Sequence, residues 1–143
     1  MARTDSLEVA TALHRAAIRL LRAVRVADDE TGVSAPKLSA LSVLTFGGPS
    51  SLTALAKAEQ VTAATMSKLV SDLEAEGLVA KRADREDKRG LRIEVTAKGR
   101  ALMEEGRKRR LALLNKRLGK FSREERAQLV DAAALMMRAS EAE

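Results

Sequence analysis

The stretch from Ser51 to Gly99 constrains the fold most, because each short segment in it dictates what its neighbour must do. Val61-Thr62 interrupts one apolar pattern and opens another, in which Met66, Leu69, Val70 and Leu73 recur at i, i+3, i+4 and i+7. That spacing is the stripe of a helix packed on one side. Thr62 is placed to cap it, and Gly77 sits where a left-handed residue ends a helix. Leu78 to Arg82 then has the length and content of a strand, and Leu91-Arg92-Ile93-Glu94-Val95 alternates strictly, as a half-buried strand does. Two short helices followed by a polar hairpin are therefore expected.

On a helical wheel Ala64, Ser67, Lys68 and Ser71 point away from the apolar stripe, with Thr65 on its flank. Short side chains and one lysine near a helix start suit the floor of the DNA major groove, which accepts a whole α-helix. Amides behind Thr62 and Ala63 would add phosphate affinity. For an isolated helix an ordinary solvated face is the commoner reading. The hairpin shifts the balance towards DNA. From Lys81 to Arg92 it carries six basic residues (Lys81, Arg82, Arg85, Lys88, Arg89, Arg92) against the acidic Asp84, Glu86 and Asp87. Such a wing can reach an adjacent minor groove, where a narrow A·T-rich stretch attracts an arginine. Arg89 is the candidate, with Asp87 able to hold its guanidinium, and Arg82, Arg85 and Lys88 are further contacts. A solvated turn with incidental ion pairs is the alternative.

These residues resemble the MarR family of bacterial transcriptional regulators: Leu55-Ala56, Val61-Thr62, Thr65 to Val70, Leu73-Glu74, Gly77-Leu78-Val79, Arg82, Asp84, Asp87-Lys88-Arg89, Val95-Thr96 and Gly99. The stretch from Leu73 to Gly99 is the specific part, since the helix-turn-helix half fits several winged-helix families. The resemblance implies a mainly α fold with a small β-wing, in one domain over residues 1–143. A winged helix-turn-helix would occupy about 34–99, with dimerisation helices at about 5–30 and 100–140. It further implies a homodimer on double-stranded DNA, a reading helix over Thr62 to Glu76, and wing contacts at Asp87 and Arg89. It also implies release by a small aromatic or phenolic effector. His14 and Phe46 are the candidate lining residues, although a partly buried structural histidine is the commoner role for His14. The lack of Tyr, Trp and Cys weakens an aromatic pocket and removes a thiol switch.

The flanks fit this scheme. Leu7, Ala10, Leu13, Ala17, Leu20, Leu21 and Val24 line one side of a helix from about Asp5 to Ala27. Asp28 to Gly32 reads as a polar loop that closes it. Ser34-Ala35-Pro36 starts a second helix, in which Leu38, Leu41, Val43, Leu44 and Phe46 are expected to be buried, ended by Gly47-Gly48-Pro49. Ser50 or Ser51 caps the next helix, which would cross the DNA backbone, so Ser51 joins the candidate contacts. Thr96 caps a long helix to about Gly119. Its run Arg107 to Arg110 surrounds the helix, so solvation is favoured over a phosphate stripe. Leu111, Leu113, Leu114 and Leu118 present apolar surface on several sides and call for a partner chain. Ser122-Arg123-Glu124-Glu125 is a capping box. The stripe Leu129, Ala132, Ala133, Met136 and Met137 reads as core filling, with Leu135 off it as a contact across the dimer.

Composition narrows the function classes. A net charge of +6 on 143 residues favours a polyanionic partner. With no cysteine and one histidine, neither a catalytic nucleophile and base nor a metal site suggests itself, and no cofactor is expected. No apolar run reaches the roughly 18 residues of a membrane span, so a cytoplasmic protein is expected. A winged helix that binds another protein is the main rival, disfavoured because its exposed face should then carry apolar anchors. Paired reading helices in a two-fold dimer would demand a pseudo-palindrome with half-sites about 10 bp apart.

Overall fold

The computed structural model describes residues 5–86 and 90–142. Asp5 caps α1 (Ser6–Arg25), which runs into a 3-10 turn (Val26–Thr31). Then follow α2 (Ala35–Gly47), β1 (Ser50–Ser51), α3 (Leu52–Ala58), α4 (Ala63–Ala75), β2 (Val79–Ala83), β3 (Leu91–Val95), α5 (Ala97–Leu118) and α6 (Arg123–Glu141). The fold is mainly α with a small antiparallel sheet, as the patterning implies.

The core lies entirely in the middle of the chain. Ala40, Leu41 and Leu44 of α2 meet Leu55 and Ala56 of α3 and the α4 stripe Met66, Val70 and Leu73. Leu78, Val79, Ile93 and Val95 close it from the sheet, and Leu102 and Met103 of α5 pack against its edge. Each large side chain so buried contributes about 1.5–3 kcal/mol. This cluster fixes α4 with its opposite face outward.

The sheet is larger than a two-stranded wing. Its order is β1-β3-β2, with Ser50 opposite Ile93 and Ser51 opposite Arg92. Two serines carry no strand pattern, so the pairing was not legible locally. Phe46 is a second correction: it is 82% exposed, because it stands about 200° round the helix from Leu44, which faces the core. A third is the segment after α1. Instead of a loop, Val26–Thr31 forms a 3-10 turn ended by Gly32 at φ 69°. Within it the Thr31 hydroxyl donates to the Asp28 carbonyl at 2.7 Å.

The two outer helices behave differently from the core. Neither α1 nor α6 contains a buried residue. The α6 stripe expected to fill a core is exposed: Leu129, Met136 and Met137 all face solvent, as does Leu135. The capping box itself forms, with Ser122 accepting from the Glu125 amide at 3.1 Å and Glu125 accepting from the Ser122 amide at 2.9 Å. So α6 is a well-made helix whose apolar side has no cover within one chain's core. Among the described residues no helix is long and apolar enough to cross a membrane.

Candidate nucleic-acid interface

Local capping builds the helix pair. Ser51 accepts a hydrogen bond from the Ala54 amide at 3.1 Å and starts α3. Thr62 accepts from the Thr65 amide at 3.1 Å and starts α4, and its hydroxyl lies 2.9 Å from that of Thr65. The turn between them holds Gln60 at φ 57°, in the left-handed region, tied by its amide to the Lys57 carbonyl at 3.2 Å. With Met66, Val70 and Leu73 buried, α4 presents Ala63, Ala64, Thr65, Ser67, Lys68 and Ser71 to solvent. All the reading-helix candidates therefore lie on one open face.

The sheet carries a second exposed group. Ser51, Arg92 and Arg82 stand in one cross-strand row, since Arg92 on the central strand is opposite Ser51 on one side and Arg82 on the other. All three are exposed. Two arginines directly opposite each other repel, and the structure answers with carboxylates. Arg82 Nε donates to Glu94, and Arg92 Nε pairs with Asp84 at 3.5 Å. Lys81 reaches Glu74 of α4 at 3.7 Å, linking the wing to the reading helix.

Arg85 is exposed at the wing's turn, where the Glu86 amide donates to Asp84 Oδ1 at 3.0 Å. Asp87, Lys88 and Arg89, three of the expected wing contacts, lie outside the described residues. Arg92 was not among the expected contacts. The alternation of Leu91 to Val95 carries the signal, because burying Ile93 and Val95 turns Arg92 and Glu94 outward together.

The two residues expected to line an effector pocket are both exposed in the single chain. His14 is exposed on α1 in the single chain. Phe46 is exposed at the end of α2. A cleft along the N-terminal half of α1 is lined by residues between Asp5 and Arg19 and includes neither.

A capped helix pair whose second helix is open on one face, next to a sheet carrying paired arginines, defines a winged helix-turn-helix protein. The profile of the MarR family matches residues 31–90. Over 129 residues the chain is 33% identical to Mb0904 of Mycobacterium bovis, named as an uncharacterized HTH-type transcriptional regulator, with 90% of each protein covered. It is also 30% identical over 106 residues to the HTH-type transcriptional regulator YdgJ of Bacillus subtilis, a match spanning 74% of this chain and 65% of that protein. A MarR family protein from Bacillus stearothermophilus superposes with a TM-score of 0.80 at 24% identity, over 99% of each chain. BpsR of Bordetella bronchiseptica superposes with a TM-score of 0.63 at 25% identity, over 100% of this chain and 99% of its own. The chain belongs to the MarR family of helix-turn-helix transcriptional regulators, whose members bind DNA and are not enzymes.

Proposed function

We propose that this protein is a homodimeric repressor that binds a pseudo-palindromic operator in double-stranded DNA and leaves it when a small molecule binds. One observation carries the DNA reading: the open face of α4, with Thr65, Ser67, Lys68 and Ser71, and the exposed Ser51–Arg92–Arg82 row belong to one helix pair and sheet, which Lys81 and Glu74 join. Hydroxyls and a lysine suit base edges and phosphates, while the arginines suit phosphate or a narrow groove. That surface carries no aromatic side chain to anchor a protein partner. The division into a winged-helix region at about 34–99 and dimerisation helices on either side is supported by where burial stops. The core ends at the start of α5, and α1 and α6 are left with uncovered apolar sides.

The reading face carries no arginine, asparagine or glutamine, the residues that make bidentate base contacts. Specificity therefore rests in good part on shape, through Arg89 in a narrow minor groove and the bendability of the site. Arg89→Ala should weaken binding more on A·T-rich flanks than on G·C-rich ones, in fluorescence-anisotropy titrations; equal losses on both would refute the idea.

For the effector, the support is a relative: the DNA binding of the Bordetella protein is regulated by 6-hydroxynicotinic acid, a small aromatic acid. An effector here would act by preferring a dimer with the wrong helix separation. Its pocket would have to be completed by the second chain, because His14 and Phe46 are both exposed within one. Selection from random duplex pools at several salt concentrations tests the whole reading. A recovered pseudo-palindrome, with affinity falling steeply in log salt, is expected; retention without any enriched motif would favour a protein-binding winged helix.

A further inference from the structure

The reading helix ends where α5 begins, and side chains of α5 close that end. Two of the last carbonyls of α4 are satisfied by its own turn: the Leu78 amide donates to Leu73 and the Gly77 amide to Glu74, both at 2.9 Å. The carbonyls of Glu76 and Gly77 lie just beyond, and the start of α5 supplies a donor to each. Lys98 Nζ donates to the Glu76 carbonyl at 2.8 Å. The Thr96 hydroxyl donates to the Gly77 carbonyl at 2.6 Å and accepts from the Gly99 amide at 3.1 Å. One hydroxyl thus caps the tail of α4 and the head of α5 together. The Lys98 stem crosses Gly77, with Cδ 3.7 Å from where a Cβ on that glycine would stand.

From this geometry, and resting on the reading of the protein as a dimeric DNA binder, we infer that Thr96 and Lys98 are positioning residues for DNA recognition. They form a hydrogen-bonded elbow that sets the direction of α4 against α5, and so the half-site spacing the dimer accepts. Leverage makes the elbow matter. The 13 residues of α4 span about 20 Å, and its Thr62 end, which faces DNA, is the end far from the elbow. A tilt of about 10° there moves the reading end by about 3 Å, close to the rise of one base pair. The buried stripe holds α4 onto α2, α3 and the sheet, and the elbow ties its far end to α5.

The test uses the full-length protein and duplexes carrying the selected operator with its half-sites moved one base pair closer or further apart. Lys98→Met keeps the stem and removes the donor. Thr96→Val removes both hydroxyl bonds, and Thr96→Ser restores them. The wild type should prefer the selected spacing strongly. Lys98→Met and Thr96→Val should each reduce that preference by roughly tenfold, the effect of losing one or two such bonds, and Thr96→Ser should recover it. The preference is a ratio within one protein, so a smaller folded fraction cancels. If Lys98→Met weakens binding equally at every spacing, Lys98 is a phosphate contact and the elbow is refuted; an unchanged ratio in both variants refutes it too. Failure of the wild type to select any sequence would overturn the DNA-binding reading itself, and that result appears before any substitution is made.

Discussion

Gly99 is the position where a single added carbon meets the most resistance. A Cβ there would lie 2.3 Å from the Leu78 carbonyl oxygen and 2.6 Å from Val95 Cγ2. The carbonyl cannot move freely, because it accepts the Thr96 amide at 3.1 Å, and Val95 is a core residue of β3. Relief would have to push α5 off the sheet. Gly99→Ala should cost about 3 kcal/mol, the upper end for forced overpacking, measured as a lower urea midpoint with an unchanged slope. The caps at Thr62, Thr96 and Ser122 were legible in the sequence because each acts within three or four residues of itself. The second duty of Thr96 was not: its acceptor is Gly77, on the far side of the wing.

Elements meet through contacts that no local pattern announces. The basic run on α5 reads as a solvated ring, yet two of its members have fixed partners in the 3-10 turn. Arg110 Nη1 donates to Asp28 at 2.7 Å, and Arg109 pairs with Glu30 at 3.4 Å. Two of the three acids behind the end of α1, where negative charge opposes the helix dipole, are thereby paired, and α1 is tied to the helix that leads out of the core. The partners are 82 residues apart for Arg110, so neither run identifies the other. Both pairs are partly exposed, and their contribution is accordingly modest. Arg110→Gln should lower stability by less than about 1 kcal/mol while speeding amide exchange selectively in residues 26–33. Uniform acceleration across the core would show that the pair acts on the whole domain instead. The same distance explains why β1 was missed, since its partner strand lies beyond the entire helix pair.

At the scale of the molecule, burial is concentrated in the middle and absent from both flanking helices. The methionine stripe of α6 was readable as a packed face, but its partner was not, because the periodicity of one helix does not say whether the covering surface belongs to the same chain. If a second copy supplies it, Met136→Asp with Leu129→Asp should yield folded monomers by analytical ultracentrifugation. The melting temperature of the parent protein should also rise with concentration, since a dimer gains about 1.4 kcal/mol of stability per tenfold. The sheet carries a different consequence, one of timing. The wing hairpin and the reading helix are local and can form early, whereas β1 joins β3 only after a loop of about forty residues has closed, a slow and entropically costly step. The Ser51–Arg92–Arg82 row exists only after that closure. A partly opened chain that has lost this closure keeps Arg82 opposite Arg92 in the hairpin but lacks Ser51 beside them.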